Sequence, residues 1–179
     1  MADWARWVVG SVCGSGDVLE KCVGGPVSAF ATSWPNFLQN YLDPKTVAKT
    51  PERIYQVYLL GLLHSLRPKG WEVSIGPRAG SGYIYARLVS KKQKSAALIE
   101  VKSSENKNQI EGDADKLLKQ IVHKKYRNPE GLPGIRILRE YGMASYHLES
   151  FVKGRYLELN GRGEWVEKDD PRELNAVDE

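Results

Sequence analysis

The sequence predicts an α/β chain in which helices flank one central mixed β-sheet, and three observations predict it. Helical and strand-like segments follow in the order helix, three strands, helix, two strands, which is typical of a single mixed sheet. Apolar residues recur with helical spacing over residues 113–126, whereas residues 96–101 form a short apolar run of strand length. Of the 179 residues, 41% are hydrophobic, which is enough for one core of this size.

The chain divides into three predicted parts. Residues 1–48 are expected to form a helical extension that packs on the core, since Gly and Pro interrupt it at GSGD, CVGGP, SWPN and LDPK. Residues 49–168 carry the predicted sheet, and the acidic residues 169–179 are expected to fray. The extension supplies aromatic surface for docking, at Trp4, Trp7, Phe30, Trp34, Phe37 and Tyr41.

The first helix of the middle part is predicted to begin at about Thr50. Thr50 can cap a helix, and Pro51 suits the first helical position. Residues 54–66 are apolar almost all round, so this helix is expected to be buried on most sides. Pro68 and Gly70 would end it.

The strands are predicted from short apolar runs bounded by turn residues. WEVSI, GYIYARLVS and AALIEV precede the helix at 113–126, and SKKQKS is a hairpin loop between the last two. IRILREYG and ASYHLESF follow that helix, and RYLELNGRGEWVEK is expected to turn at Asn160-Gly161. Strict alternation in the second strand would set Tyr83, Tyr85 and Arg87 on one face and Ile84, Ala86 and Leu88 on the other.

Composition excludes several classes of protein. No run of about 18 apolar residues is present, so we expect no membrane span. Asp3 and the lack of a basic start make the N-terminus a poor signal peptide. Cys13 and Cys22 have neither CxxC spacing nor nearby His, so we expect free thiols in a reducing compartment. The expected location is therefore intracellular, either cytoplasmic or nuclear.

The charge of the chain favours a polyanionic partner. The net charge is +4 and the pI is about 9.0. Lys and Arg gather at residues 91–94 and 116–127. Such runs can contact phosphates, although they can equally be solvated faces.

A carboxylate and an ammonium interrupt the strand AALIEVKSS. Leu98, Glu100 and Lys102 share one face by strand alternation, opposite Ala97, Ile99 and Val101. A buried charge needs a charged or hydrogen-bonding partner or a functional role, because its desolvation is costly. Glu100 could bind Mg²⁺, and Lys102 could orient an attacking water or meet negative charge on a phosphoryl group. The two could equally form an ordinary ion pair at the sheet surface.

Four segments in sequence resemble the PD-(D/E)XK nuclease superfamily. They are ERIYQVYLLGLL, EVSIGPRAGSGYIYARLV, AALIEVKSS and DADKLLKQIVHKKY, which together cover residues 50–150 approximately. The branch is the one often found behind AAA-ATPase-like domains. The resemblance implies a restriction-endonuclease-like fold, phosphodiester hydrolysis with Mg²⁺ or Mn²⁺, and a nucleic-acid partner, with DNA favoured over RNA. A homodimer would suit the cutting of two strands.

The resemblance also implies roles for individual residues. It makes Glu100 the acidic metal ligand, Lys102 the catalytic lysine and Gln120 the helix residue near the site. Glu52 becomes a further acid that could hold the metal, or it only complements the helix dipole. Tyr126 would be a packing residue. On a helical wheel Gln120 lies toward the polar side, so simple solvation explains it equally well.

One position departs from the pattern. Where the superfamily has the first Asp of its motif, in G-Y-x-D-I-R-L, this chain has GYIYARL, with Tyr85 in its place. A phenol with a pKa of about 10 is a poor substitute for a carboxylate on Mg²⁺. Tyr85 therefore either takes a place in the site or packs beside it as an ordinary strand aromatic.

Three functions stay open at this point. The first is a metal-dependent nuclease that Tyr85 impairs, and the second is a catalytically inactive module that binds nucleic acid or a protein. The third is a docking domain that uses the aromatic extension. For the first two, the residues expected to bind the phosphate backbone are Lys116, Lys119, His123, Lys124 and Arg127.

Overall fold

The computed structural model describes residues 17–42 and 51–174, without the side chains of residues 51–57, 129 and 174. The predictions for Trp4, Trp7, Cys13, Thr50 and residues 175–179 lie outside the described residues. Within the described part, no helix has the length and apolar character needed to cross a membrane.

Six strands form one mixed sheet, and a central mixed sheet is what the sequence predicts. Their order across the sheet is β1, β4, β5, β6, β7, β8, and only the β5–β6 pair is parallel. Their bounds are Glu72–Ile75 (β1), Ala86–Ser90 (β4), Ser95–Ser103 (β5), Ile137–Tyr146 (β6), Glu149–Leu159 (β7) and Trp165–Lys168 (β8). Two short strands, Arg78–Ala79 (β2) and Gly82–Tyr83 (β3), form a separate hairpin. The strands predicted at IRILREYG and ASYHLESF are divided elsewhere, because β6 continues to Tyr146 and the turn falls at residues 147–148.

Helices cover both faces of this sheet. They comprise residues 17–24 (α1), Val27–Tyr41 (α2), Pro51–His64 (α3), Ile110–His123 (α4) and Pro171–Leu174 (α5), with 3₁₀ turns at Arg67–Lys69, Lys107–Gln109 and Pro129–Gly131. The helix expected to start beside Thr50 does begin at Pro51. The helix expected at 113–126 begins and ends three residues earlier, so Tyr126 lies beyond its end.

The core consists of two clusters, one on each face of the sheet. The larger lies against α1–α3, where the Phe30 and Tyr141 rings meet edge to face with centroids 4.8 Å apart. The described residues of the extension, 17–42, pack on the sheet through this cluster. The smaller cluster lies under α4 and includes Leu98, Leu118 and Ile121. Ala97 and Ile99 belong to the larger cluster, so the predicted faces of β5 are confirmed.

Gly142 lets α4 approach the sheet closely. A Cβ at this position would overlap the carbonyl oxygen of Ala114, which belongs to α4. The absence of a side chain on β6 thus sets how near α4 lies to the sheet. This approach positions every α4 residue discussed below.

The expected alternation around Tyr85 is wrong. Ile84 packs under α4, but Tyr85 packs with the cluster that contains Ala86 and Leu88. The reason is a bend at residue 85, before β4 begins, where Gly76 N–H donates to the Tyr85 carbonyl over 2.8 Å. The β7–β8 turn also differs in detail, because its left-handed residue is Gly163 rather than Gly161.

Residues 169–174 are held on α2 rather than frayed. α2 follows Pro26 and has no side-chain cap of its own from that residue. The Asp170 carboxylate, only 3% exposed, accepts from Val27 N–H over 3.2 Å, and Glu173 accepts from Ser28 N–H over 3.1 Å. Carboxylates suit the free N–H groups and positive end of a helix, so this distant segment caps α2.

Candidate functional site

Glu100 lies near the middle of β5 and faces α4. It is 6% exposed, and Gln120 Nε2 donates to its Oε1 over 3.3 Å. Burial raises the pKa of Glu100 from 4.5 to about 7, against the lowering effect of hydrogen bonds from the Tyr85 backbone, the Gln120 side chain and the Val101 backbone. The partners of this carboxyl are thus neutral donors, and it is about half protonated near neutral pH.

Gln120 reaches the site although its position on the helix suggested a solvated side chain. The residue is half-buried beside the apolar stripe of α4, and its amide extends to Glu100. Tyr126 also lies beside Glu100, and its hydroxyl donates to the Tyr83 carbonyl over 2.8 Å. The structure therefore brings Glu100, Gln120 and Tyr126 together, and the roles assigned to them remain predictions.

Lys102 contacts a different carboxylate. Its Nζ lies 3.0 Å from Oδ2 of Asp113, whose side chain is 2% exposed. Ser104 Oγ donates to the same oxygen over 2.9 Å, and Lys116 Nζ lies 3.0 Å from Oδ1. The hydrogen bond from Lys116, with those from Lys102 and Ser104, lowers the pKa of Asp113 from 3.8 to about 2 against the effect of burial. We call Asp113, Ser104, Lys102 and Lys116 the Asp113 cluster.

Sequence reasoning missed Asp113 as a partner of Lys102. The i, i+3 spacing of Asp113 and Lys116 is the one signal that could have found part of the cluster. The contact between Lys102 and Asp113 depends on how α4 docks, so no local spacing indicates it.

Tyr85 presents its backbone, not its side chain, to Glu100. Its N–H hydrogen-bonds the Glu100 carboxyl, whereas its ring packs with the cluster under α1–α3 on the other face. Burial raises the pKa of the Tyr85 phenol from 10.0 to about 12, which disfavours a phenolate. Position 85 therefore supplies a neutral donor where the resemblance implies an anionic metal ligand.

The described residues do not fit the Mg²⁺ site that the resemblance implies. Among the side chains that the structure describes, no three His, Cys, Asp or Glu residues come together to hold a metal ion. Glu100 is one carboxyl that accepts from the Gln120 amide, and the oxygens of Asp113 already accept from three donors. A hard cation prefers ionised oxygen ligands. The side chain of Glu52 lies outside the described residues, so its role stays a prediction.

The predicted phosphate-binding residues fall into two groups. Lys116 belongs to the Asp113 cluster, while Lys119, His123 and Lys124 follow along the outer side of α4 and just past its end. None of these last three makes a salt bridge to a described residue.

Arg127 belongs to a buried ion pair rather than to an open basic surface. Its Nε lies 3.5 Å from the fully buried Glu140 carboxylate, and Arg155 Nη2 lies 3.0 Å from the other oxygen of that group. Burial raises the pKa of Glu140, and the two arginines act against that rise. Arg127, which was expected to bind phosphate, is thus already paired with Glu140 inside the fold.

Comparison with known proteins gives no match. No protein-family model matches the chain, and no significant similarity to a curated protein or to a solved structure is found. The nuclease resemblance therefore depends on the residues of this chain and on their arrangement alone.

Proposed function

We propose that this chain is a nucleic-acid-binding module with a restriction-endonuclease-like fold that does not cleave by the metal-dependent route. The observation that carries this proposal is the set of basic residues along α4 and just past its end, next to a carboxyl site in which Tyr85 takes the position of the first Asp of the nuclease motif. DNA is the favoured partner. The binding surface is the outer side of α4, which Lys119, His123 and Lys124 occupy.

The charges on α4 support the binding half of this proposal. Lys119 and His123 are exposed and Lys124 is half-buried, and no described carboxylate forms a salt bridge with any of them. Lys119 lies near enough to Asp115 to help lower the pKa of that carboxyl, but neither Lys119 nor Lys124 forms a salt bridge with a described residue. Both ammonium groups therefore remain available for phosphates, whose counterions are released on binding. Such binding weakens as the salt concentration rises.

The two carboxylates support the non-catalytic half. Phosphoryl transfer with a metal requires ionised oxygens at the metal and a lysine free to act on the water or the phosphate. Here Glu100 accepts from the Gln120 amide, and Lys102 is paired with Asp113. The two halves of the predicted motif are thus engaged in separate interactions.

Binding is tested by fluorescence anisotropy with labelled single- and double-stranded DNA and RNA over a range of salt concentrations. We expect a Kd that weakens with salt. Lys119→Gln with Lys124→Gln should reduce the slope of log K against log salt by about two, since each phosphate contact contributes approximately one.

The matched control carries the same loss of charge elsewhere. Arg162→Gln with Lys168→Gln removes two exposed cations that lie in the β7–β8 turn and in β8 and make no salt bridge to a described residue. Its salt slope should equal that of the unmodified chain. Equal slopes for both double variants, or the absence of salt-dependent binding, would overturn the proposal.

A second candidate is the hydrolase itself, with Mg²⁺ or Mn²⁺. The observation that favours it is the meeting of Glu100 and Gln120, with Lys102 on the same face of β5. Cleavage assays with either metal compare the unmodified chain with Tyr85→Asp and Lys102→Ala. If the unmodified chain cleaves and Lys102→Ala does not, this candidate is established. If only Tyr85→Asp cleaves, the tyrosine at position 85 is what inactivates the site. The favoured proposal requires that the unmodified chain does not cut.

A further inference from the structure

The β2–β3 hairpin carries an exposed tyrosine and contacts the residues just past the C-terminal end of α4. Tyr83 is 70% exposed, more than any other exposed large apolar side chain in the described residues. A single exposed aromatic is common on protein surfaces and needs no explanation alone. What distinguishes Tyr83 is how firmly its backbone is fixed and which charges lie next to it.

The hairpin is fastened to the C-terminal end of α4. Tyr126 Oη donates to the Tyr83 carbonyl over 2.8 Å, and Ser81 N–H donates to the Lys124 carbonyl over 2.9 Å. Gly80 has φ +49°, and a Cβ there would overlap the carbonyl oxygens of Lys124 and Lys125. Hydrogen bonds on either side of Gly82 thus fix the backbone, while the ring of Tyr83 remains exposed to solvent.

One cation shares a face with this ring. Arg78 is the cross-strand partner of Tyr83 in the hairpin, so the two side chains project from the same face. The Lys124 side chain lies where a Cβ of Gly82 would point, which is the opposite face of the hairpin by strand alternation. Neither Arg78 nor Lys124 forms a salt bridge with a described carboxylate.

We infer that the hairpin is a stacking site for an unpaired base of single-stranded nucleic acid. The Tyr83 ring would stack on the base, and Arg78, on the same face, would contact an adjoining phosphate. Aromatic rings beside cations are the usual means of binding single strands, because every base has a face to stack and every link has a phosphate. A duplex keeps its bases stacked inside, so the ring would contribute little to binding it. This inference rests on the proposed nucleic-acid binding and specifies the form of the ligand.

The test compares Tyr83→Ala with the unmodified chain on single strands and on duplexes of equal length, in DNA and RNA. We expect Tyr83→Ala to weaken single-strand binding roughly ten-fold and to leave duplex binding and both salt slopes unchanged. Tyr83→Phe should bind single strands like the unmodified chain, because it keeps the ring. Ile75→Ala, which trims another exposed apolar side chain, is the control and should change nothing.

Photocrosslinking provides a second readout that does not depend on affinity. A single strand with photoreactive bases should crosslink to the peptide that contains Tyr83, as identified by mass spectrometry. Three results would each overturn the inference: Tyr83→Ala binds single strands as tightly as the unmodified chain, it loses equal affinity for duplexes, or the crosslinks lie in other peptides. In each case salt-dependent binding would still support the proposed function. A chain that binds no nucleic acid would overturn both.

Discussion

Two carboxylates on the α4 side of the sheet have nearly equal burial and opposite electrostatics. Glu100 meets a side-chain amide, backbone N–H groups and a phenol, and burial raises its pKa to about 7. Asp113 meets two ammonium groups and a hydroxyl, which lower its pKa to about 2. The comparison teaches that burial raises the pKa of a carboxyl unless charged donors oppose it, as the two ammonium groups do at Asp113.

The difference also separates two roles. The Asp113 cluster links α4 to β5 and to Ser104 through an ionised group, so it acts as a fastening between helix and sheet. The Glu100 pocket contains a carboxyl that no cation contacts in the described residues, so its charged form is costly there. Substitutions can therefore alter the Asp113 cluster, the Glu100 pocket, or both together.

The largest effect should come from Gly142→Ala, which disturbs both regions together. The added Cβ would overlap the Ala114 carbonyl oxygen and push α4 away from β6. We expect a loss of about 3 to 4 kcal/mol in the free energy of unfolding, measured by urea denaturation. Gly112→Ala adds the same methyl group to α4 in open space and serves as the control. Equal stability of the Gly142 variant and the unmodified chain would show that α4 docks elsewhere.

Asp113→Ala should have the next largest effect. It removes a buried carboxylate that accepts from two lysines and leaves the buried Ser104 hydroxyl without this acceptor. We expect a loss of about 2 to 3 kcal/mol in the free energy of unfolding. Asp115→Ala breaks the exposed pair with Lys153 on the same helix and should change stability little. A similar loss in both variants would contradict the assignment of the Asp113 cluster as the fastening.

Glu100→Gln should reveal a pH-dependent effect. The folded chain holds the Glu100 proton more tightly than the unfolded chain, so the carboxyl favours folding below pH 4.5 and loses that contribution as the pH rises through about 7. A neutral Gln does not ionise. The variant should thus approach the unmodified chain near pH 4.5 and exceed it by roughly 2 kcal/mol well above pH 7.

The measurement is urea denaturation of both proteins across this range of pH. Subtraction of one curve from the other removes the contribution of Glu140, whose pKa is also raised. A stability difference that does not vary with pH would show that the pKa of Glu100 is not raised by folding.

The smallest effect should come from Lys102→Gln. Lys102 is half-exposed and is one of three donors to Asp113, so its removal should cost less than about 1 kcal/mol. The pKa of Asp113 should rise but stay below its ordinary value, because Lys116 and Ser104 remain. Carboxyl NMR titration measures this shift. An unchanged Asp113 pKa would mean that the two side chains do not meet in solution.

Local sequence pattern was sufficient to predict much of the fold and the position of Glu100 and Lys102 on one face of β5. The start of α3 at Pro51, the two faces of β5 and the mixed sheet follow from capping residues and from the periods of helix and strand. The contact of Glu100 with Gln120 was expected only through the nuclease resemblance. The bend at Tyr85 was not expected, since alternation assumes an unbroken strand.

The sequence by itself determined the type of most segments and the two faces of β5, because backbone periodicity makes these properties local. Tertiary structure alone decided the partners. Lys102 meets Asp113 because α4 docks closely over Gly142, and Asp170 caps Val27 from 143 positions away. A pKa depends on the charges within a few ångströms, whatever their distance along the chain. The charge states of Glu100 and Asp113 could therefore be assigned only after the fold had brought their neighbours to them.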